Sequence, residues 1–376
     1  MTRTFDAVVI GLGAMGSAAA DALARRGARV LGLDRFAPPH PHGSSHGRSR
    51  VIREAYFEHP LYVPLVRRAY ELWHELEQDS ALSLLTRTGL VSLGPRGSEV
   101  VAGARRSAEE HAIAHEDLTP REVRARWPAL NAADDADALY ETRAGLLAVE
   151  ECLTALQERA RASGAVLLAD EPALGWSADG SGVAVRTARA TYGAGVAVIS
   201  AGAWAATLLP GLRLPLQVER QVVHWYAPRE GAPPLTAARC PIVLWQPDEG
   251  GVFYTAPDTG HGLKAALHHG GETTEPGAVP PPTEKDEEVS RALLARLLPT
   301  AGGRLLDART CLYTNAPDGH FVIDRHPDHA QVIVASPCSG HGFKFAPAVG
   351  EVLAELAQGR RPAFDLAPFS LARFTA

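Results

Sequence analysis

Four residues near the start of the sequence have the types and spacing that bind the phosphates of a dinucleotide. Gly11, Gly13 and Gly16 form the motif GLGAMG, and Asp34 ends the apolar run that follows it. The first glycine makes the turn, the second lets the main chain approach a pyrophosphate, and the third lets the next helix pack closely. The helix N-terminus faces the anion, and the carboxylate accepts from a ribose hydroxyl. The motif predicts a dinucleotide site without distinguishing NAD from FAD.

A second chemical feature is the stretch GSSHGRSRVIREAY, which spans residues 43–56. It concentrates Arg48, Arg50 and Arg53, although the chain has a formal net charge of -6. Guanidinium groups bind carboxylates and phosphates through two parallel hydrogen bonds. Spacing alone leaves two interpretations open: an anion site and a solvated basic loop.

The pattern of apolar residues places the glycine motif in a βαβ unit. Phe5 to Gly11 and Arg29 to Asp34 are apolar runs typical of buried parallel strands, and Ser17 to Gly27 has helical spacing. Similar helix and strand patterns return later in the chain. Between about 215 and 299, short alternating strands separated by Pro/Gly turns indicate an antiparallel sheet.

These patterns predict an α/β fold with two domains. One is a Rossmann-like domain built from residues 1–80, 145–214 and 320–376. The other is an inserted α+β domain with a mixed, mainly antiparallel sheet, built from residues 81–144 and 215–319. The first would hold the dinucleotide and the second would hold the substrate.

Composition narrows the class of protein. The chain has 376 residues with 37 basic and 43 acidic side chains. This balance gives no overall electrostatic field that would attract nucleic acid or a membrane surface. Its cysteines, Cys152, Cys240, Cys311 and Cys338, form no CxxC pair, so we expect reduced thiols and no metal site. The first residues lack a leader pattern, and no apolar run could span a bilayer, so we expect a cytoplasmic protein.

Three separated motifs identify a family. The stretches GSSHGRSRVIREAY, CLYTNAPDGHFVID and SGHGFKFAPAVGEVL resemble, in the same order, the monomeric sarcosine oxidase and N-methyltryptophan oxidase family. Pipecolate oxidases are near relatives, within the larger D-amino-acid-oxidase-like flavoprotein group. The resemblance implies a Rossmann-like FAD-binding domain, oxidation of a secondary amino acid such as sarcosine, and reduction of O2 to H2O2. It also implies a monomer whose partners are a small amino acid and O2.

The resemblance assigns roles to individual residues. Cys311 matches the cysteine that joins the flavin covalently through its 8α carbon. Arg53 and Lys344 match the ligands of the substrate carboxylate, and Arg50 matches the arginine nearer the flavin ring. Lys264 matches the lysine that holds a water at flavin N5 and promotes the reaction with O2.

Further matches complete the expected site. Tyr254 and Tyr313 match tyrosines of the substrate cavity, and His268 matches an active-site histidine. The residues expected to contact FAD are Gly11, Gly13, Gly16, Asp34, Ser45, His46, Ser49, Arg50, Cys311, Gly340, Gly342, Phe343 and Lys344. His269 and His341 lie in similar segments and are candidates to orient the flavin or the substrate.

Two departures leave the substrate open. Trp245 falls where sarcosine enzymes have a flexible apolar residue over the substrate, so its large ring is expected to reshape the pocket. The sequence GSSHGRSR also resembles the corresponding stretch of pipecolate oxidases more than that of sarcosine oxidases. A cyclic secondary amino acid or a larger amine is therefore an alternative substrate. An NAD- or quinone-linked dehydrogenase and a flavin-binding protein without turnover are the alternatives of other classes.

The chemistry accounts for the basic stretch. A guanidinium and an ammonium can bind the carboxylate of an amino acid substrate. The amine of that substrate must be unprotonated, because only then does it have the lone pair that drives transfer of hydride equivalents. Positive charges beside the amine disfavour its protonated form. The arginines are thus expected to bind the substrate and to favour its reactive form.

Overall fold

A computed structural model describes residues 5–233 and 235–374 of the protein. Within these residues the strands are β1 (Phe5–Ile10), β2 (Val30–Leu33), β3 (Ser49–Ile52), β4 (Leu85–Arg87), β5 (Leu90–Pro95), β6 (Glu116–Leu118), β7 (Ala136–Glu141), β8 (Gly145–Ala148), β9 (Val166–Leu168), β10 (Gly175–Asp179), β11 (Gly182–Arg186), β12 (Thr191–Ile199), β13 (Gln217–Tyr226), β14 (Ile242–Trp245), β15 (Val252–Ala256), β16 (Leu263–His268), β17 (Glu272–Thr273), β18 (Leu305–Asn315), β19 (Val322–His326) and β20 (His329–Ser336). The α-helices are α1 (Ala14–Arg25), α2 (Val63–Ser80), α3 (Glu99–Glu110), α4 (Pro120–Arg126), α5 (Val149–Ala162), α6 (Ala205–Leu208), α7 (Glu284–Leu297) and α8 (Ala346–Ala357).

The first sheet carries the glycine motif. Its parallel centre runs β9-β2-β1-β12-β20, and the antiparallel strands β10, β11 and β19 extend it. β1 and β2 are buried because helices cover the sheet, and α1 packs against both α5 and α8. The carboxyl ends of the parallel strands therefore share one edge, where such folds bind ligands.

The glycine motif closes the turn from β1 into α1 by close packing. Gly11 has a φ of +93°, which a residue with a Cβ rarely adopts. A Cβ on Gly16 would lie 1.7 Å from the carbonyl oxygen of Gly11. The third glycine is thus required by the approach of the helix to the strand.

The second sheet lies beside the first and is mainly antiparallel. Its strands run β17-β13-β16-β15-β14-β5-β7-β6, with β18 paired along the other side of β13. Only β14 and β5 are parallel within it. A third small sheet, ordered β3-β8-β4, carries Ser49 to Ile52 of the basic stretch. The α/β class with a second, mixed sheet is confirmed, whereas the domain boundaries remain a prediction.

Two further features concern possible partners. Among residues 5–233 and 235–374, every helix is too short or too polar to cross a bilayer. The same part of the chain holds no group of three or more His, Cys, Asp or Glu side chains arranged to bind a metal ion.

Substitution of Gly16 by alanine tests the packing of the glycine motif. We expect Gly16→Ala to lower the free energy of unfolding by about 1–3 kcal/mol, because the new methyl group must displace main chain. Gly180→Ala is the matched control, since a Cβ there meets nothing within 4 Å. Urea unfolding of both variants checks this, and equal stabilities would contradict the packing.

Candidate active site

A deep cavity lies at the carboxyl edge of the first sheet and extends to the second sheet. At one end its wall contains Gly11, Gly13, Asp34 and Ser45. At the other end alternate residues of the second sheet face it. These residues are Gln221 and Val223 of β13, Tyr254 and Ala256 of β15, Lys264 and His268 of β16, and Cys311 and Tyr313 of β18. Leu244 of β14 and Leu312 of β18 line the cavity as well.

The end at the first sheet presents main-chain donors and one carboxylate. The Oδ2 of Asp34 accepts from the N–H of Leu12 at 2.6 Å, which fixes this side chain beside the glycine turn. The hydroxyl of Ser45 accepts from the N–H of Ala14, in the first turn of α1. Gly13 provides no side-chain cap for that helix, so its N-terminus opens onto the cavity.

Arg50 contacts Cys311 in the middle of the cavity. The Nη2 of Arg50 lies 3.2 Å from the Sγ of Cys311 and also donates to the carbonyl of Ser44. Cys311 is buried on β18, opposite Gln221 of β13. A second thiol, Cys338, lines the same cavity, and burial raises its pKa to about 11. Cys311 is thus the thiol that a positive charge contacts.

Lys264 enters the cavity from β16 and is held by main-chain oxygens. Its Nζ donates to the carbonyls of Gly47 and Ser49 at 3.1 and 2.7 Å. The indole of Trp225 lies beside it, 5.5 Å from Nζ to the ring centroid. Burial, followed by the charge of Arg50, holds the pKa of Lys264 well below its usual value.

Arg53 is paired with a carboxylate that sequence reasoning missed. Its Nη2 donates to both carboxylate oxygens of Glu58 at 2.8 and 2.6 Å, and its guanidinium lies over the rings of Tyr56 and Phe57. Burial raises the pKa of Glu58, but Arg53 together with His341, Lys344 and His268 outweighs it, and the pKa falls to about 2. The only sequence signal was an acidic residue shortly after the basic run.

The aromatic side of the cavity contains His268 and two tyrosines. The Nδ1 of His268 lies 3.4 Å from the hydroxyl of Tyr313. Burial and the neighbouring His269 hold the pKa of His268 well below its usual value, so its ring is neutral at pH 7. Burial also raises the pKa of Tyr254 to about 12. These rings therefore contribute hydrogen bonds and apolar surface rather than charge.

Lys344 faces the cavity beside Arg53. It lies in a short 3-10 turn, Phe343–Phe345, and it is 6% exposed. Burial and then Arg53 lower the pKa of Lys344 to about 7. Arg53 and Lys344 therefore lie together in the wall of the cavity.

The prediction that Trp245 covers the substrate pocket is wrong. Leu244 pairs with Tyr254 across β14 and β15, and these two side chains share the cavity face. Successive residues of a strand point to opposite faces. Trp245 accordingly packs on Phe253 in the opposite core, beneath the guanidinium of Arg296.

The structure also places His46 differently from the prediction that it contacts FAD. It is absent from the cavity wall, although its neighbours Ser44, Ser45 and Ser49 line it. Its ring is buried, and burial and then the charge of Arg50 lower the pKa of His46 to about 3. Gly16 lies behind the wall as well, where it serves helix packing. His269 is also absent from the wall, and its Nδ1 lies 3.6 Å from the carboxylate of Glu219. The other residues predicted for the site line the cavity.

The fold and the cavity define an FAD-dependent oxidoreductase. The family model of FAD dependent oxidoreductases (DAO) matches residues 6–356. Among solved structures, NikD, an unusual amino acid oxidase, superposes with a TM-score of 0.87 over 98% of both chains at 24% identity, which shows the shared fold.

Two curated relatives define the family more narrowly. The chain is 44% identical to monomeric sarcosine oxidase of Streptomyces avermitilis, over 100% of this chain and 99% of that protein. It is 37% identical to N-methyl-L-tryptophan oxidase of Salmonella heidelberg, over 99% of both. The chain belongs to this family of FAD-dependent amino acid oxidases, as its motifs indicated.

The cavity wall fits FAD. The open N-terminus of α1 and the glycine turn can receive a pyrophosphate, and the fixed carboxylate of Asp34 stands at the end of β2, where a ribose binds in this fold. The alternate residues of the second sheet leave room for a flat ring system beside Arg50 and Lys264. The residues present thus suit each part of the cofactor.

The ion pair of Arg53 and Glu58 predicts a pH-dependent stability. Glu58→Gln leaves a buried guanidinium unpaired, so we expect it to lose about 3–5 kcal/mol of unfolding free energy at pH 6. Because the pKa of Glu58 is lower in the folded chain, the charged carboxylate stabilises the fold above its unfolded pKa, and this contribution declines as the pH falls toward 2.

Urea unfolding at pH 6 and pH 3 checks this expectation. The loss in Glu58→Gln should be smaller at pH 3 than at pH 6. Glu71→Gln, which removes a solvent-exposed partner of Arg68, should cost about 1 kcal/mol or less at either pH. An equal loss for Glu58→Gln at both pH values would show that Glu58 is not ionised in the folded chain.

Proposed function

We propose that this protein oxidises secondary amino acids of the N-methyl type, such as sarcosine, with O2 as the second substrate. The observation that carries the proposal is the placement of Arg53 and Lys344 in one buried cavity with Arg50 and Lys264. The printed names of the two relatives support the substrate class. When bound, FAD supplies the electron acceptor that takes hydride equivalents from the substrate and passes electrons to O2.

Arg53 and Lys344 would bind the substrate carboxylate. In this structure the guanidinium of Arg53 is already bonded to a carboxylate, that of Glu58. The site is therefore built for this type of anion, and the substrate would take the place of Glu58. A guanidinium fixes the orientation of a carboxylate through two bonds, while the lysine adds a third point of attachment.

The same positive charges would favour the reactive form of the amine. A nitrogen bound near Arg50, Arg53 and Lys344 is surrounded by like charge if it stays protonated, so its pKa falls. The neutral ring of His268 adds no further charge and can accept a hydrogen bond. The unprotonated amine would thus be the form that the cavity binds best.

Lys264 would serve the reaction with O2. Two of its N–H groups are held by the carbonyls of Gly47 and Ser49, and in the ammonium form the third is left for a water or oxygen molecule in the cavity. A donor fixed in advance stabilises negative charge that develops on oxygen. This role is separate from the binding of the carboxylate by Arg53.

We further propose that Cys311 holds FAD covalently, through a thioether to the 8α carbon of the flavin. The Sγ of Cys311 faces the cavity and lies 3.2 Å from the guanidinium of Arg50, which we expect to stand beside the flavin ring. Cys338 has no such contact and stays protonated. We also propose that the protein acts as a cytoplasmic monomer with neither nucleic acid nor membrane as a partner, in keeping with the printed name of its sarcosine oxidase relative.

An anaerobic titration tests the proposed function. We expect sarcosine to bleach the flavin absorbance and admission of air to restore it with formation of peroxide. In Arg53→Met the concentration for half bleaching should rise about tenfold to hundredfold, because charge-assisted hydrogen bonds of about 1.5–3 kcal/mol are lost.

Arg48→Met is the matched control for that titration. Arg48 lies in the same basic stretch, but its side chain pairs with Asp307 and is absent from the cavity wall. Its half-bleaching concentration should stay near that of the unaltered chain. Failure of sarcosine and other N-methyl amino acids to bleach the flavin would reject the proposed substrate class.

Acid precipitation tests the covalent link. Protein with Cys311→Ala should release its flavin into the supernatant, whereas protein with Cys338→Ala should keep it in the pellet, as the unaltered chain does. Absorbance of the supernatant at flavin wavelengths measures both. Retention by Cys311→Ala would remove this cysteine from the proposal.

A further inference from the structure

Lys344 is held by two acceptors that the proposed chemistry has not used. Its Nζ donates to the main-chain carbonyl of His341 at 2.8 Å and to the hydroxyl oxygen of Tyr56 at 3.3 Å. An ammonium group has three N–H donors. Since two are engaged and Lys344 lines the cavity, one donor is left for a bound ligand.

The hydroxyl of Tyr56 is oriented by His341. The Nε2 of His341 lies 3.1 Å from the carbonyl oxygen of Gly319, and a carbonyl only accepts, so Nε2 carries a proton. Burial lowers the pKa of His341 to about 3, which leaves its ring neutral and its Nδ1 an acceptor. Tyr56 donates to that Nδ1 across 2.6 Å.

The result is a chain of hydrogen bonds with one direction. Lys344 donates to Tyr56, Tyr56 donates to His341, and His341 donates to Gly319. The proton of the Tyr56 hydroxyl is already committed to His341, so the oxygen presents only lone pairs to Lys344. Both acceptors bond an ammonium N–H more strongly than the N–H of a neutral amine, because hydrogen bonds from a charged donor are the stronger ones. The arrangement therefore stabilises the ammonium form.

The ammonium form needs this support because its surroundings are mixed in charge. Lys344 is buried, and the pair of arginines nearby disfavours a further positive charge. The titratable and charged groups that face it are Arg50, Arg53, Glu58, Tyr56 and His341. Once a substrate carboxylate replaces Glu58 at Arg53, Tyr56 and the His341 carbonyl remain as fixed acceptors.

We propose that Tyr56 and His341 are positioning residues, which keep Lys344 an ammonium ion with one N–H directed at the substrate carboxylate. The inference rests on the proposed function, since it concerns the same carboxylate. Neither ring is required to touch the substrate. They act through Lys344, and they extend the pH range over which the cavity binds an anion.

The test uses Tyr56→Phe in the FAD-loaded protein, with acetate as the probe. Phenylalanine keeps the ring beneath Arg53, whose guanidinium carbon lies 4.2 Å from the ring centroid, and removes the hydroxyl that accepts from Lys344 and donates to His341. Acetate is titrated from pH 6 to pH 9, and the change in flavin absorbance gives Kd. The unaltered chain should bind less tightly as the pH rises through the titration of Lys344.

In Tyr56→Phe we expect the inflection in Kd to move down by about one pH unit, since an ammonium that loses an acceptor deprotonates more readily. At pH 8, acetate should then bind about tenfold more weakly, and the difference should narrow at pH 6. A residue that merely fills space would shift Kd equally at every pH and leave the inflection in place.

Tyr62→Phe is the matched control. Its hydroxyl bonds the Nδ1 of His320 instead, while its ring packs at 5.0 Å from that of Tyr56. We expect its inflection to equal that of the unaltered chain. His341→Leu should behave as Tyr56→Phe does, and His341→Asn, whose side-chain oxygen can accept from Tyr56, should restore the inflection.

The outcomes separate the two proposals. If the unaltered chain binds no acetate at any pH, the proposed carboxylate site fails and this inference fails with it. If it binds acetate and Tyr56→Phe keeps the inflection of Tyr62→Phe, only the role of Tyr56 and His341 is overturned. A shifted inflection in both Tyr56→Phe and His341→Leu supports the inference.

Discussion

The cavity depends on burying four cations, Arg50, Arg53, Lys264 and Lys344, close to one another. A charge taken out of water is costly unless acceptors surround it. The chain meets this requirement mostly with main-chain carbonyls, which are fixed by the fold and carry no net charge. Glu58 is the exception, and it contributes a full negative charge to Arg53. Acceptors without charge keep the site positive overall, so that it can receive an anion.

The arrangement of the sheets follows from the same requirement. Lys264 of the second sheet bonds the carbonyls of Gly47 and Ser49, and Arg50 of the third sheet reaches Cys311 of the second. Lys344 belongs to the segment that joins the first sheet to α8, and its carbonyl receives the indole N–H of Trp73 from α2. Lys264 and Arg50 thus tie one sheet to another, and the cavity lies where the sheets meet.

Much of the fold could be predicted because its signals are local. The βαβ unit was placed from apolar runs and the glycine motif, with the helix expected over residues 17–27 and observed at Ala14–Arg25. Sequence patterns failed where a contact between separate segments determines whether a side chain faces the cavity. β14 has only four residues, and which of them face the cavity is set by its pairing with β15 rather than by its own pattern. That pairing selected Leu244 over Trp245. Glu58 lies outside any strand or helix, so no periodicity could direct it toward Arg53, and His46 turns away from neighbours that line the wall.

Lys264 shows how hydrogen bonds to main-chain carbonyls affect the sequence variation that a site tolerates. Its two partners are peptide oxygens at positions 47 and 49, and the residue between them, Arg48, adopts a left-handed backbone with φ 67°. A carbonyl oxygen is present whatever side chain the codon specifies. The lysine can therefore keep its partners while the residue at 49 drifts between serine and other types, as long as the backbone path is preserved. A search for side chains that vary together with Lys264 would therefore not recover these two contacts, because main chain makes both of them.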